Sequence, residues 1–295
     1  MIGAGWFLDR RFKLDLDSLV KLNFNLFVPV FIFVKVVQAT MDSSDALTII
    51  GFTACVIASM SAITLFWGKL RGYSKANRRS MQMATMFYNC GNFGIPVTAL
   101  AYPDMGPKVQ VFALMAMNVS VFSIGLAFAR KQGSGAEQNW LRNILSVVKQ
   151  PPVYGVILAI PVRFFDVPVM DWQFIWKPLE YIAGGLVAIA TVTLGVQLSK
   201  TKPVSLRGGM GWAVAIRLLG GPLVGLGLVA LFGFSGEFAA VLILGTASPT
   251  AVNTALLAHE FKGNSQFAAG AVFYSTLFSV PTVAILATLL KYFYG

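Results

Sequence analysis

Long apolar runs, recurring almost end to end, constrain this chain more than any other feature. A helix needs roughly 20 residues to cross a hydrocarbon core of about 30 Å. Stretches of that order lie at about 22–39, 46–68, 80–103, 109–129, 151–169, 178–198, 209–234, 238–258 and 267–290. Ahead of them stands Met1-Ile-Gly-Ala-Gly-Trp-Phe-Leu8, stopped by Asp9-Arg10-Arg11. Eight helical residues cover about 12 Å, less than half the core. The segment therefore reads as the inner half of a tenth span, leaving a gap beside the last span or at a contact with a second copy of the chain. Charged residues make up only 12% of the 295, too few to clothe a soluble surface. The expectation is an all-α polytopic protein whose first partner is the lipid bilayer.

The net charge of +11 suggests nucleic acid until the charges are located. Seventeen of the 23 basic residues fall in connections after the odd-numbered spans, counting the half-span as the first. They are Arg10, Arg11, Lys13, Lys21; Lys69, Arg71, Lys75, Arg78, Arg79; Arg130, Lys131, Arg142, Lys149; Lys200, Lys202, Arg207; and Lys262. The other connections carry Lys108, Arg163 and Lys177 among several acids. By the positive-inside rule the basic side faces the cytoplasm and both termini lie outside, so nucleic acid is not an expected partner. The two cysteines, Cys55 and Cys90, sit in separate apolar runs, which argues against a disulfide or a thiolate metal site.

The longest polar connection runs from Arg130 to Gln150 and leaves five spans on each side. An odd number per half reverses the polarity of the second half, the arithmetic of an inverted-topology repeat. The expected division is 1–131 for the first repeat, 132–150 for a cytoplasmic linker and 151–295 for the second. Within the linker, Trp140, Leu141, Ile144, Leu145 and Val148 share one helical stripe, predicting a short interfacial helix.

The helix signal breaks in the fourth span of each half. Asn89-Cys-Gly-Asn-Phe-Gly-Ile-Pro96 holds two glycines, two asparagines and a proline, and Gly245-Thr-Ala-Ser-Pro-Thr-Ala-Val-Asn-Thr254 is its counterpart. Proline removes a donor and clashes with the preceding turn, and such breaks at membrane depth persist only when buried in protein or lining a cavity. Two ordinary proline kinks are the plainer reading, but matched breaks in corresponding positions of two inverted halves point to a transporter's binding site. Crossing broken helices would aim free N–H groups and positive dipole ends at the centre, which suits an anion, most simply a carboxylate.

These residues carry a resemblance. Asn89 to Pro96 with Val-Thr-Ala-Leu-Ala-Tyr102 resembles the first crossover of the auxin efflux carrier family, and Ala247 to Phe261 resembles the second. Gly5 to Arg11 with Leu22 to Pro29, Lys149-Gln-Pro-Pro152 and Leu194 to Leu198 are similar to other parts of the same family. The resemblance implies ten helices in a 5+5 inverted repeat, a fold shared with bile-acid/sodium symporters, and elevator-type transport of organic anions. The long cytoplasmic loop of the plant carriers is absent here, which points to a prokaryotic-type member in the cell membrane. On the motif, Asn89, Pro96 and Pro249 are the substrate-site residues. Chemistry adds Asn92 and Asn253, for which helix-to-helix hydrogen bonding is the alternative role, and the polar loading of the second break adds Ser248 and Thr250.

Few charges lie near the apolar runs. Arg217 is placed to attract an anion or to snorkel to the cytoplasmic interface. His259 and Glu260 end the second broken helix and stand as candidates for a coupling proton, or as a solvated helix end. Lys35 and Glu180 read as interfacial. The Gly221/Gly225 pair reads as helix packing. No cofactor or metal is expected, and no Gly-x-Ser-x-Gly or His-Glu-x-x-His suggests an enzyme. The function expected is a secondary transporter of a small carboxylate. A sodium-coupled symporter of the bile-acid type, or a receptor or channel on the same fold, remains the alternative.

Overall fold

The computed structural model describes residues 1–38, 43–125, 151–201, 205–206, 209–260 and 264–294. The linker and its stripe of apolar residues lie outside them. The described residues form helices and turns, with one isolated β-bridge. The elements are α1 (Ile2–Phe12), α2 (Leu16–Gln38), α3 (Ser43–Leu70), α4 (Lys75–Met86), α5 (Cys90–Ala101), α6 (Met105–Gly125), α7 (Pro151–Phe164), α8 (Gln173–Lys200), α9 (Met210–Phe232), α10 (Gly236–Thr246), α11 (Val252–Glu260) and α12 (Ser265–Tyr294). Six of them, α2, α3, α6, α8, α9 and α12, are long and apolar enough to cross a membrane unaided.

Local chemistry explains where several helices start and stop. Asp15 caps α2, its carboxylate accepting from the Ser18 N–H at 3.0 Å, and Ser74 caps α4 through the Asn77 N–H. Gly233, at φ 71°, ends α9 in the left-handed conformation that glycine adopts without strain. The runs expected near 80–103 and 238–258 are each divided, into α4 and α5 and into α10 and α11.

Two bundles emerge from the packing. In the first, α1 lies on α8 and α2 lies on α7 and α8; in the second, α3 to α6 and α9 to α12 pack on one another. Within each bundle the backbones approach closely enough to forbid a side chain. A Cβ at Gly5 would collide with the Val192 carbonyl, one at Gly195 with that of Ile2, and one at Gly155 with that of Pro29. In the second bundle Gly106 abuts the Thr98 carbonyl and Gly245 the Gln110 side chain. All such glycine approaches among the described residues stay inside one bundle. Between the bundles, α2 and α8 meet α5 and α6 across a thinner, mainly apolar boundary.

Two cavities lie on that boundary. A small one, about 60 Å³, is lined by Phe24, Val28 and Pro152 of the first bundle and by Tyr88 to Asn92 and Ala251 to Asn253 of the second. A larger apolar one, about 470 Å³, opens between Ile2, the α5 residues Phe93 and Val97, and the stretch of α12 from Ser279 to Lys291.

Candidate functional site

The site is built where the two broken helices meet. The chain leaves α4 at Phe87, which is extended, passes through Tyr88 and Asn89 outside any helix, and re-enters helix at Cys90. On the other strand Ala247 to Ala251 is non-helical between α10 and α11. The two stretches pair as an antiparallel bridge: the Asn89 N–H donates to the Pro249 carbonyl at 2.8 Å, and the Ala251 N–H donates to the Phe87 carbonyl at 2.9 Å. Each satisfies donors and acceptors that the interrupted helices leave open.

The first break therefore lies earlier than its proline suggests. Cys90 to Gly94 forms a π-helical turn, and Pro96 stands in the first turn of the following α-helix, where its missing N–H costs nothing. Pro249 is inside its break, and its carbonyl is the acceptor for Asn89.

Asn89 is buried at the start of α5. Its Oδ1 accepts from the Asn92 N–H at 3.1 Å, capping the helix, while its Nδ2 is buried with no hydrogen-bond partner. An unmet buried donor costs about 1–3 kcal/mol, so this amide is poised for an acceptor. Asn92 accepts at Oδ1 from Asn23 Nδ2 of α2 at 2.8 Å. Asn89, Asn92 and Asn253 line the small cavity together with Asn118 of α6, and the first turns of α5 and α11 border it too. No acidic or basic side chain lines it among the described residues.

The hydroxyls of the second break are turned elsewhere. Thr250 Oγ1 donates to the Ala84 carbonyl at 2.7 Å and the Thr250 N–H donates to Ser275 Oγ at 3.0 Å. Thr246 and Thr254 donate to carbonyls three residues back. Ser248 is fully buried against Gly94. Backbone donors beside Pro249, expected to orient a ligand, are thus engaged within the protein: the Ser248 N–H by the Gly245 carbonyl, the Thr250 N–H by Ser275 and the Ala251 N–H by the Phe87 carbonyl.

Arg217 does not snorkel. It is 0% exposed, on a π-turn of α9, and its two terminal nitrogens donate to the carbonyls of Thr85 and Thr246. Those are the C-terminal carbonyls of α4 and α10, the negative ends of both interrupted helices. One guanidinium thereby holds both breaks, and its plane lies over the Tyr88 ring, 5.3 Å from the centroid. Gly221 leaves room for it, since a Cβ there would strike the guanidinium and the Thr246 carbonyl. The Gly221/Gly225 pair is packing, as expected, but against the crossing itself.

His259 and Glu260 close α11, and their side chains lie outside the described residues. Lys35 stands over the Phe31 ring, and Glu180 pairs with Lys177 at 2.8 Å. Sequence reasoning missed Asn23, Gln110 and Asn118. Gln110 is buried between Gly94, at the end of the π-turn, and Gly245, near the end of α10, with its Oε1 unpartnered. The available signal was an amide inside an otherwise apolar span.

The sequence matches the family described as membrane transport protein over residues 2–287. It is similar to an uncharacterized transporter of Methanothermobacter thermautotrophicus, 23% identical across 94% of this chain and 89% of that protein. It is also similar to an uncharacterized transporter of Methanocaldococcus jannaschii, 25% identical across 69% of this chain and 65% of that protein.

Proposed function

The chain belongs to the membrane transport protein family, and on that premise we propose that it is a secondary transporter carrying a small organic anion, a carboxylate, held where the two broken helices cross. The observation that carries the proposal is the Asn89 amide, whose Nδ2 is a buried donor without an acceptor at a cavity between two bundles. A carboxylate oxygen supplies that acceptor. The positive ends of the α5 and α11 dipoles favour a negative ligand over a neutral one. Arg217, facing carbonyls rather than an acid, leaves an uncompensated positive charge beside Tyr88 on the same crossing.

Transport in this reading is of the elevator type. The glycine approaches tie each bundle into one body, while the boundary between them carries both cavities and few close backbone contacts. The second bundle slides along the first and carries the crossing with it, exposing the ligand to one cavity and then the other. The smaller cavity lies toward the chain ends that join the basic connections, the larger toward Ile2 and Lys291. With the basic connections cytoplasmic, the smaller cavity faces the cytoplasm and both termini face outward. The two bundles draw on both halves of the chain, consistent with a 5+5 inverted repeat. A second copy of the chain and a coupling proton or sodium ion belong to the same proposal.

The test is reconstitution. Purified protein is screened by thermal shift against mono- and dicarboxylates and indole acids, with and without sodium, since a ligand that binds the folded state must stabilise it. The strongest stabiliser is then tested for counterflow in proteoliposomes. Trans-stimulated uptake of labelled carboxylate is expected. Stabilisation without counterflow contradicts a carrier, and uptake insensitive to internal substrate would indicate a channel.

A further inference from the structure

The boundary between the bundles is mainly apolar, but among the described residues a part-buried side-chain hydrogen bond crosses it: Asn23 of α2, itself buried, donates to Asn92 of α5. The other polar ties around the crossing, Thr64 to Thr85, Thr250 to Ala84 and Arg217 to Thr85 and Thr246, all stay inside the second bundle. Both asparagines stand in π-helical turns, Asn23–Phe27 and Cys90–Gly94. Such single-turn distortions re-aim side chains and recur at functional sites. Asn92 is also tied through its N–H to Asn89 Oδ1, on the same amide that holds the unmet donor. Its neighbour Phe93 is buried and faces the larger cavity, while Asn92 itself faces the smaller. The Asn23–Asn92 bond thus sits one residue from Phe93, between side chains that line the two cavities.

We infer that Asn23 is a positioning residue of this site: its hydrogen bond to Asn92 is the latch that holds the two bundles in register while the site is empty. A neutral amide pair suits the role, because it is directional without the desolvation cost of a buried ion pair. A ligand oxygen on Asn89 Nδ2 draws on the same amide whose Oδ1 holds Asn92, so occupancy and latch are linked through one side chain. The inference rests on the two-bundle reading proposed above, and its test needs neither a substrate nor transport.

Cys90 lines the smaller cavity beside Asn89 and is buried. In protein carrying Cys55→Ala, it is the sole thiol and reports slippage of the boundary. The rate of its alkylation by N-ethylmaleimide is measured in membranes for this background and for Asn23→Ala, Asn92→Ala and the double variant. One neutral hydrogen bond sets a two- to tenfold shift, so each single variant should speed labelling by about that factor. The double variant should go no further than the faster single, because both remove the same bond. Asn25→Ala, whose side chain bonds only within its own helix to the Lys21 carbonyl, should leave the rate unchanged. A second reporter, Ala101→Cys in a Cys55→Ala, Cys90→Ala background, samples the larger cavity, and its rate should change with the latch as well. Unchanged labelling in folded variants, multiplicative effects in the double, or a change at Cys90 with none at Ala101→Cys overturns the inference. If Asn23→Ala does not fold, Asn23→Ser and Asn92→Ala carry the same comparison. Loss of counterflow alone would strike the transporter reading and leave the labelling result standing; unchanged labelling in a protein that transports would strike the latch alone.

Discussion

At the first break Asn89 and Asn92 turn amides toward the small cavity, whereas at the second the hydroxyls of Thr246, Thr250 and Thr254 are all committed to backbone carbonyls. As sequence the two stretches look equivalent, each rich in small polar residues around a proline. As structure they divide the labour. The first supplies most of the side-chain chemistry; the second supplies the carbonyl and N–H that hold the first in place, and a helix start whose Asn253 borders the cavity. A polar residue in a broken membrane helix therefore has two destinies, and the distinction lies in whether a bare carbonyl stands within reach. Thr250 finds Ala84 and becomes structural; Asn89 keeps a donor in reserve.

Arg217 should give the largest effect, because it serves both breaks at once. Removing it leaves two buried helix-end carbonyls unmet, at about 1–3 kcal/mol each, so Arg217→Ala should lower stability by about 2–6 kcal/mol. Arg217→Lys should not rescue it, since a single ammonium cannot reproduce the planar fork that spans two carbonyls. Melting temperature in detergent checks both, and a stable Arg217→Lys would break the idea that one side chain ties the two breaks together. Next comes Thr250→Val, which strands the Ala84 carbonyl and should cost about 1–3 kcal/mol of stability. The protein that remains folded should bind the stabilising carboxylate with wild-type affinity by titration calorimetry; weakened binding would mean that the hydroxyls of the second break reach the ligand after all. The smallest effect is expected from Asn253→Ala. Asn253 lines the cavity from the second break without a cap to lose, so affinity should fall by no more than about tenfold, the value of one hydrogen bond. A larger loss there than at Asn89 would reverse the comparison.

Much of this arrangement was legible in the chain. Apolar run lengths located the six helices long and apolar enough to cross a membrane, and clustered Gly, Asn and Pro located both breaks to within a few residues. The first was placed too late because proline was taken to mark the break, whereas Pro96 sits where proline is best tolerated, inside the first turn of a new helix. For Arg217 the sequence offers attraction of an anion or snorkelling to the cytoplasmic interface, and its full burial against two carbonyls removes the second. Backbone carbonyls freed by a helix break are acceptors without any side-chain signature, so their pairing with an arginine 29 residues before Thr246 and 132 after Thr85 is invisible in one sequence. Asn23 was hidden for a related reason: its partner is 69 residues away, across a boundary between bundles that run length cannot reveal. The π-turns that carry Asn23, Asn92 and Arg217 leave no pattern distinct from an ordinary apolar helix.

Asn89→Asp isolates the donor on which the functional account depends. The substitution is isosteric and keeps an oxygen to cap the Asn92 N–H, so the helix start survives, but it replaces the unmet Nδ2 donor with a second acceptor. Asn89→Ala loses the cap and the donor together and serves as the comparison. Affinity for the strongest stabilising carboxylate is measured on wild type and both variants, alongside melting temperature. A carboxylate bound at the crossing should lose about ten- to hundredfold in affinity with Asn89→Ala, the worth of one hydrogen bond to a charged group, and more with Asn89→Asp, which sets a like charge against the ligand. The Asp variant should nonetheless melt closer to wild type than the Ala variant. Undiminished affinity in folded Asn89→Asp would contradict an anion at this site.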